Sequence, residues 1–321
     1  MDLSMGIRKS LPWIVASAVL TGIFILVPMG EAWHALRLAK SGILLPLVPG
    51  SVLAWFLIES GIYAHAFSRF NTPVSFREAR SLRGSSYLWA PLHHGLGKAA
   101  ILLRLRSLYG VPLLESTSTM ALCQTIDGIA LAGLTALGLG LLSSSADFGP
   151  ASIASCATAA GLLAYLVFLG HARPGSRLLG RFRGLTLHRA HRSARFRDLA
   201  IILLGRMACH LVFVMVLYLG TRSFGIDLPL PVALAAAPLI EAIRALPITP
   251  AGLGTQQATM LFLFRDFGPE ASIVAFGLCL PMATLGARCL LGLFYLPGIF
   301  ESFTTSAFGL SGGLTGKTYR Q

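Results

Sequence analysis

The first long apolar stretch of the chain begins at Leu11, and residues 11–29 read LPWIVASAVLTGIFILVPM, without one charged side chain. About twenty apolar residues of helix are enough to cross a hydrocarbon core of roughly 30 Å. Hydrophobic residues make up 55% of the 321 residues and charged residues only 12%, which is about half of the charged share in an average soluble protein. This composition predicts an all-α polytopic membrane protein, and it excludes soluble enzymes, disordered regulators and secreted disulfide scaffolds.

Apolar length and flanking charge predict six transmembrane helices. They are Leu11–Met29, Ser41–Ile62, Ser118–Leu142, Ala151–His171, Leu199–Gly220 and Ala271–Phe300. Two further apolar segments, Gly84–Leu103 and Val232–Phe264, are each interrupted by several glycine and proline residues. Because glycine and proline break helices, each of these two segments is predicted to be a re-entrant helical hairpin that enters and leaves on one side of the membrane.

The net charge of +13 comes largely from one basic block, Ala172–Arg197, which holds eight arginines and no acid. A basic block between apolar spans is a topology signal and attracts anionic lipid headgroups, and no module for reading nucleic acid is recognisable. With two re-entrant hairpins and both termini cytoplasmic, eighteen lysines and arginines, Arg83 among them, lie on the cytoplasmic side and four lie outside. The positive-inside rule therefore predicts this topology in the cytoplasmic (inner) membrane.

The same layout predicts an inverted-topology repeat. Residues 1–150 form a first half and residues 151–300 a second, each with two crossings, a hairpin (84–103 or 232–264) and a third crossing, and residues 301–321 form a cytoplasmic tail. Both hairpin elbows contain Gly-Leu-Gly, at Gly95–Gly97 and Gly252–Gly254. Inverted repeats with broken helices that meet near the midplane are typical of transporters. The alternative is eight ordinary helices with glycine-rich packing faces.

The second elbow carries a family resemblance. Residues 246–258 read LPITPAGLGTQQA, which resembles the Pro-x-x-x-Gly-Gly-Leu-Gly-x-x-Glu-Ala signature of the flippase-like membrane domain of lysylphosphatidylglycerol synthases. The stretch Glu78–Asp127 is similar to the first elbow of that family, and Arg288 with Pro297-Gly298 resembles its closing motif. The resemblance spans roughly residues 10–300. It implies lipid translocation, and not lipid aminoacylation, because only about twenty residues follow Phe300 and we expect no aminoacyl transferase domain.

Four positions depart from the family pattern. Gln257 stands where the family has glutamate, His93 and Leu96 stand where the first elbow has arginine and glutamate, and Ala251 replaces the first glycine of Gly-Gly-Leu-Gly. If those acids couple protons or bind cationic headgroups in relatives, this chain has lost that chemistry or moved it.

Ionisable side chains at bilayer depth cost about 2.5–3.5 kcal/mol each on insertion scales, so those that persist usually face a cavity or a partner. Glu59 and His210 are two such residues. We predict substrate-binding roles for further intramembrane ionisable side chains and for polar ones beside the second elbow: His93, His94, Lys98, Asp127, Arg206, Glu241, Arg244, Thr255, Gln256, Gln257 and Arg288.

Several of these residues have a structural alternative. The first-elbow histidines either join Lys98 in an anion site or only cap loose backbone groups. Glu241 and Arg244, at i,i+3, form either a neutral pair or a site in which Arg244 holds a lipid phosphate. The second-elbow side chains bind headgroup oxygens or satisfy the broken helix, and Asp127 pairs with Lys98, Arg206 or Arg288.

The leading hypothesis is a lipid translocase for an anionic or polyprenyl-phosphate headgroup. The alternatives are an intramembrane enzyme that modifies a lipid headgroup and a non-transporting accessory subunit of cell-envelope lipid synthesis. No catalytic or nucleotide-binding motif is present in the sequence, and no cofactor or metal is predicted. The expected partners are membrane lipids, while cell-envelope synthesis enzymes and a second copy of the chain stay open.

Overall fold

A computed structural model describes residues 29–89, 94–142, 149–171, 180–181, 184–245 and 254–295, and within these ranges the regular structure is helical. Ten of the helices have ten or more residues, and one has five. In chain order they are α1 (Met29–Leu38), α2 (Ser41–Phe70), α3 (Phe76–Ser86), α4 (His94–Tyr109), α5 (Leu113–Leu142), α6 (Gly149–His171), α7 (Arg189–Ser193, preceded by a 3-10 turn at Thr186–His188), α8 (Phe196–Ser223), α9 (Leu230–Ala245), α10 (Thr255–Phe264) and α11 (Glu270–Leu293).

Five helices, α2, α5, α6, α8 and α11, are long and apolar enough to cross a membrane. They correspond to five of the six predicted crossings, and the remaining one, Leu11–Met29, lies outside the described residues. Large apolar side chains such as Leu45, Leu204 and Leu290 are more than 60% exposed on these helices. A soluble surface rarely carries so many exposed apolar side chains on its longest helices, whereas a lipid-facing surface does. The chain is an integral membrane protein.

Both segments predicted as broken contain a break between two helices. In the first, α3 ends at Ser86 and α4 begins at His94. In the second, α9 ends at Ala245 and α10 begins at Thr255, after Gly254 with φ of +84°, a backbone conformation that favours glycine. The centres of the two predicted elbows, residues 90–93 and 246–253, lie outside the described residues.

Three pairs of helices pack most extensively. Helix α2 packs along α8, α5 packs against α9, and α5 also packs along α6. The second pair comes into backbone contact, because a Cβ built on Gly138 of α5 would overlap the backbone of Ala235 on α9. Small residues allow such close approach of membrane helices, which gain stability from packing since lipid is as apolar as their side chains.

We predict that Gly138→Ala destabilises the protein, because the neighbouring atoms belong to the backbone of α9 and cannot rotate away. Overpacking of this kind costs about 1–3 kcal/mol. The matched control is Gly133→Ala on the same helix, where an added Cβ meets nothing within 4 Å and where alanine gains about 0.5–1 kcal/mol over glycine. Thermal unfolding in detergent measures both variants, and equal midpoints would contradict the close approach.

Part of the basic block is buried, which sequence analysis did not predict. His188, Ala190 and His191 are nearly inaccessible, and the Ala190 amide donates a hydrogen bond of 2.9 Å to Ser118 Oγ on α5. Arg189 forms an ion pair with Glu115 at the start of α5. The segment is therefore docked against the bundle at the ends of α5 and α6, with its buried histidines beside Tyr165 of α6.

We predict that docking of this segment weakens in acid. Burial lowers the pKa of His191 from 6.5 to about 4, so the undocked segment binds more protons below pH 6.5. Docking is therefore fully stable above that pH and weakens as the pH falls towards 4. Hydrogen exchange of residues 184–193, corrected for intrinsic rates, should be faster at about pH 5 than at about pH 7.5. In His191→Asn the dependence should flatten, and an unchanged dependence would show that another group titrates.

Candidate functional site

The centre of the bundle holds a buried carboxylate, Glu59 of α2, which is 5% exposed. Arg83 Nη2 of α3 lies 2.6 Å from its Oε2, and Arg206 Nη1 of α8 lies 3.2 Å from its Oε1. The Tyr63 hydroxyl and the Trp55 indole N–H, one turn to either side on α2, donate hydrogen bonds of 3.0 and 3.1 Å. Four donors thus stabilise one carboxylate that would otherwise be costly at this depth.

A second set of contacts joins α5, α8 and α9. Arg206 Nε lies 3.5 Å from Asp127 Oδ1, so one guanidinium bridges the two carboxylates Glu59 and Asp127. One turn further along α8, His210 Nε2 lies 3.1 Å from Asp127 Oδ1, and His210 Nδ1 lies 3.3 Å from Glu241 Oε2. Charged side chains therefore connect α2, α5, α8 and α9.

Tyr87, at the end of α3, is fully buried between two guanidinium groups. Arg83 lies 4.4 Å from the centroid of its ring and Arg288 of α11 lies 5.7 Å from it. Such cation–π contacts gain strength when water is excluded. The Tyr87 hydroxyl has no hydrogen-bond partner among the described residues, so a buried donor remains available to a ligand or to water.

These side chains surround a cavity of about 110 Å³. A single water needs about 10–15 Å³, so the cavity has room for several waters or for a small polar group. Its lining contains four cationic and three carboxylate side chains, together with aromatic, amide and small residues. The lining residues are Trp55, Glu59, Tyr63, Arg83, Tyr87, Gly97, Lys98, Gln124, Asp127, Leu131, Arg206, Glu241 and Arg288.

A smaller cavity of about 30 Å³ adjoins the first and shares Trp55, Glu241 and Arg288 with it. Gln256 of α10 and Thr284 of α11 contribute polar groups to this second cavity. The polar centre therefore extends from α4 in the first half of the chain to α10 in the second.

The structure brings five of the predicted site residues to the larger cavity: Lys98, Asp127, Arg206, Glu241 and Arg288. Of the three partners foreseen for Asp127, Arg206 lies within ion-pair distance of it, and His210 is a further partner. Gln256 lines the smaller cavity. His93 and the side chains of His94 and Arg244 lie outside the described residues.

The remaining predicted residues, Gln257 and Thr255, lie at the start of α10. The Gln257 side-chain oxygen accepts a 2.7 Å hydrogen bond from the Gly254 amide, and its side-chain nitrogen donates a 3.0 Å bond to the Gly277 carbonyl. Gln257 thus caps the helix after the break and ties α10 to α11. Thr255 is partly buried, and its carbonyl accepts a bond from the Thr259 hydroxyl.

Charge counting placed Arg83 among the cytoplasmic cations and missed its part in the site. Its side chain is 13% exposed and pairs with Glu59, because α3 turns this one arginine inward while Arg77 of the same helix stays exposed. Tyr63, Tyr87 and Trp55 were also missed. The i,i+4 spacing of Trp55, Glu59 and Tyr63 was the available signal, since it puts two hydrogen-bond donors on the face that carries the acid.

No group of three or more His, Cys, Asp or Glu side chains arranged to hold a metal occurs in the described ranges. The lining of the larger cavity offers fixed charges and hydrogen-bond donors. The donors around the cavity favour an anion with several acceptor oxygens.

Membrane-length helices around a buried, charged and partly open centre define a polytopic membrane protein with an intramembrane polar site. The chain matches the family model described as the lysylphosphatidylglycerol synthase TM region over residues 13–292, and it belongs to that family of lipid-related membrane domains. The match confirms the resemblance drawn from the elbow motifs. A comparison with curated proteins gave no match.

We predict that Arg83→Met strongly destabilises the protein, because it leaves Glu59 buried with one guanidinium fewer. Removal of one partner of a buried ion pair typically costs about 3–5 kcal/mol. Arg83→Lys, which keeps the charge, should cost less, and Arg77→Met on the exposed part of α3 should stay within about 0.5 kcal/mol of the parent. Thermal unfolding in detergent compares the three, and equal midpoints for Arg83→Met and Arg77→Met would refute the pairing.

Proposed function

We propose that the protein is a lipid translocase that passes an anionic phospholipid or polyprenyl-phosphate headgroup through the central cavity while the hydrocarbon chains stay in lipid. The observation that carries this proposal is the charge of the cavity lining: Arg83, Lys98, Arg206 and Arg288 against Glu59, Asp127 and Glu241. An excess of positive charge at bilayer depth is costly in the absence of an anion, and a phosphate group would compensate it.

Lys98 and Tyr87 are the side chains best suited to contact a phosphate. Lys98 lines the cavity on α4, and an ammonium group offers three donors to phosphate oxygens. Tyr87 lines the same cavity, and its hydroxyl has no hydrogen-bond partner among the described residues. Arg83 and Arg206, in contrast, are already engaged by Glu59 and would act mainly through their positive field.

An apolar groove is the proposed binding site of the lipid's hydrocarbon chain. It has a volume of about 490 Å³, is formed by α1, α2 and α11, and is lined by side chains such as Leu45, Val48 and Leu290. Leu280 of α11 borders both this groove and the smaller polar cavity. A lipid with its chain in the groove would therefore have its headgroup close to the polar centre.

The order of the helices supports the inverted-repeat arrangement that transfer by alternating access requires. Within the described residues, each half of the chain has at least one long helix, then a pair of shorter helices separated by a break, α3–α4 or α9–α10, then another long helix. We propose that the two broken pairs are re-entrant hairpins, that the termini are cytoplasmic and that the protein resides in the inner membrane.

A non-transporting accessory role is the second candidate, and the saturation of Glu59 favours it. Its two oxygens already receive four donors from three helices, a pattern that suits a static lock. In that case the protein would co-purify with an enzyme of lipid synthesis and would move no lipid alone.

We predict that purified protein in vesicles transfers phosphatidylglycerol between leaflets and that Lys98→Ala loses this activity. The probe is phosphatidylglycerol with a fluorescent acyl chain, bleached from outside by dithionite. Loss of a charged hydrogen bond to the headgroup costs about 1.5–3 kcal/mol, so the transfer rate should fall by about tenfold or more.

The matched control is Arg106→Ala, an exposed cation on the same helix, which should transfer lipid at the parent rate. Lys98→Arg should retain part of the activity because it keeps the charge. Bleaching that never exceeds the level of protein-free vesicles would favour the accessory role, and equal rates for Lys98→Ala and Arg106→Ala would remove Lys98 from the site.

A further inference from the structure

His210 lies between two carboxylates on different helices. Its Nε2 is 3.1 Å from Asp127 Oδ1 on α5, and its Nδ1 is 3.3 Å from Glu241 Oε2 on α9. A neutral imidazole has a single N–H and would turn its other nitrogen's lone pair towards a carboxylate oxygen, whereas an imidazolium donates from both nitrogens. His210 Nε2 is within hydrogen-bonding distance of Asp127, while Nδ1 has only an ion-pair distance to Glu241. Two carboxylates beside a ring that is 2% exposed therefore fit a positively charged imidazolium.

We propose that Asp127, His210 and Glu241 form a proton-binding site, and that each anionic headgroup crosses the membrane together with one proton held on this imidazole. The inference rests on the proposed function and supplies its source of energy. No bond other than N–H changes: a proton from water on one side joins the imidazole, and the same nitrogen releases it to water on the other side.

The charged groups near the site determine where the proton binds. The Trp55 ring of α2 packs against His210, with 6.0 Å between the ring centroids. The charged residues on the surrounding helices are Glu59 (α2), Lys98 (α4), Asp127 (α5), Arg206 (α8), Glu241 (α9) and Arg288 (α11). Glu59 is held by two guanidinium groups, which oppose its protonation. Asp127 and Glu241 both favour a positive charge on the ring between them.

The position of the ring also suits coupling to movement. Asp127 belongs to the first predicted half of the chain and Glu241 to the second, so any displacement of one half relative to the other lengthens one of the two contacts. The imidazolium would then lose part of its stabilisation and release its proton. Water has access, because Asp127 lines the larger cavity and Glu241 lines both cavities.

The overall charge balance is favourable as well. A phosphatidylglycerol headgroup carries one negative charge, so the lipid and one proton cross the bilayer as a neutral pair. Transfer of a neutral pair avoids the electrostatic cost of a lone charge in hydrocarbon. It also makes the leaflet distribution respond to a pH difference and remain insensitive to membrane potential.

The test uses the full chain in vesicles with acyl-labelled phosphatidylglycerol and an imposed pH difference. At one proton per lipid, the ratio of label between leaflets should shift towards the alkaline side, by up to about tenfold for each pH unit. A potassium diffusion potential alone should not shift it. In His210→Gln the ratio should ignore the pH difference, while the exposed His34→Gln variant on α1 should respond like the parent.

Each negative result has a separate meaning. If the parent transfers lipid but its leaflet ratio ignores the pH difference, proton coupling is wrong and the translocase proposal stands. If no lipid moves, the translocase proposal fails, and the proton site is judged from the ¹⁵N-imidazole spectrum of the purified protein, with His210→Gln used to assign the signal. Two protonated ring nitrogens at neutral pH support the site, and a neutral ring overturns it.

Discussion

The requirement to stabilise one buried carboxylate governs how this bundle is assembled. Glu59 cannot remain ionised at bilayer depth without partners, and the partners it has come from three helices: Trp55 and Tyr63 on α2, Arg83 on α3 and Arg206 on α8. Because the free energy of a buried ion pair depends on its geometry, displacement of one of these helices relative to the others costs free energy. Arg206 then extends the constraint to Asp127 on α5, and His210 extends it to α9.

The same charges that hold the helices together leave a cation excess facing a cavity. Packing at Gly138 brings the backbones of α5 and α9 into contact, while Asp127 of α5 and Glu241 of α9 line the larger cavity. The site is therefore both a structural junction and a place where an anion would be stabilised. The chain belongs to the family described as the lysylphosphatidylglycerol synthase TM region, which is lipid-related. The apolar groove that borders the smaller polar cavity is a candidate site for a lipid chain.

Length and charge were sufficient to predict the membrane helices, because each of α2, α5, α6, α8 and α11 is a long run with few charges. The two breaks were also predictable from sequence, because both segments contain several glycine and proline residues, which break helices. Of the site, Lys98, Asp127, Arg206, Glu241 and Arg288 were recognisable as ionisable residues in apolar segments. Their location at a common cavity was not, because it depends on how α4, α5, α8, α9 and α11 pack.

Arg83 and Gln257 illustrate where sequence reasoning stops. Arg83 lies near the end of a short helix among other arginines, and its burial depends on the direction in which α3 faces Glu59, which no local pattern records. Gln257 stands where the family signature that this stretch resembles has glutamate. Its amide accepts a hydrogen bond from the Gly254 amide at the break and donates one to the Gly277 carbonyl on α11. An amide both donates and accepts, so it can cap a helix and join its neighbour in a way that a carboxylate cannot.

The central claim, that the buried centre binds an anionic lipid headgroup, is tested most directly by native mass spectrometry of the purified protein after mild delipidation, compared with its Lys98→Ala variant. The account predicts that the parent protein retains an anionic phospholipid or polyprenyl phosphate and that the variant does not. Retention of zwitterionic lipids to the same extent, or an identical lipid complement in both proteins, would contradict it.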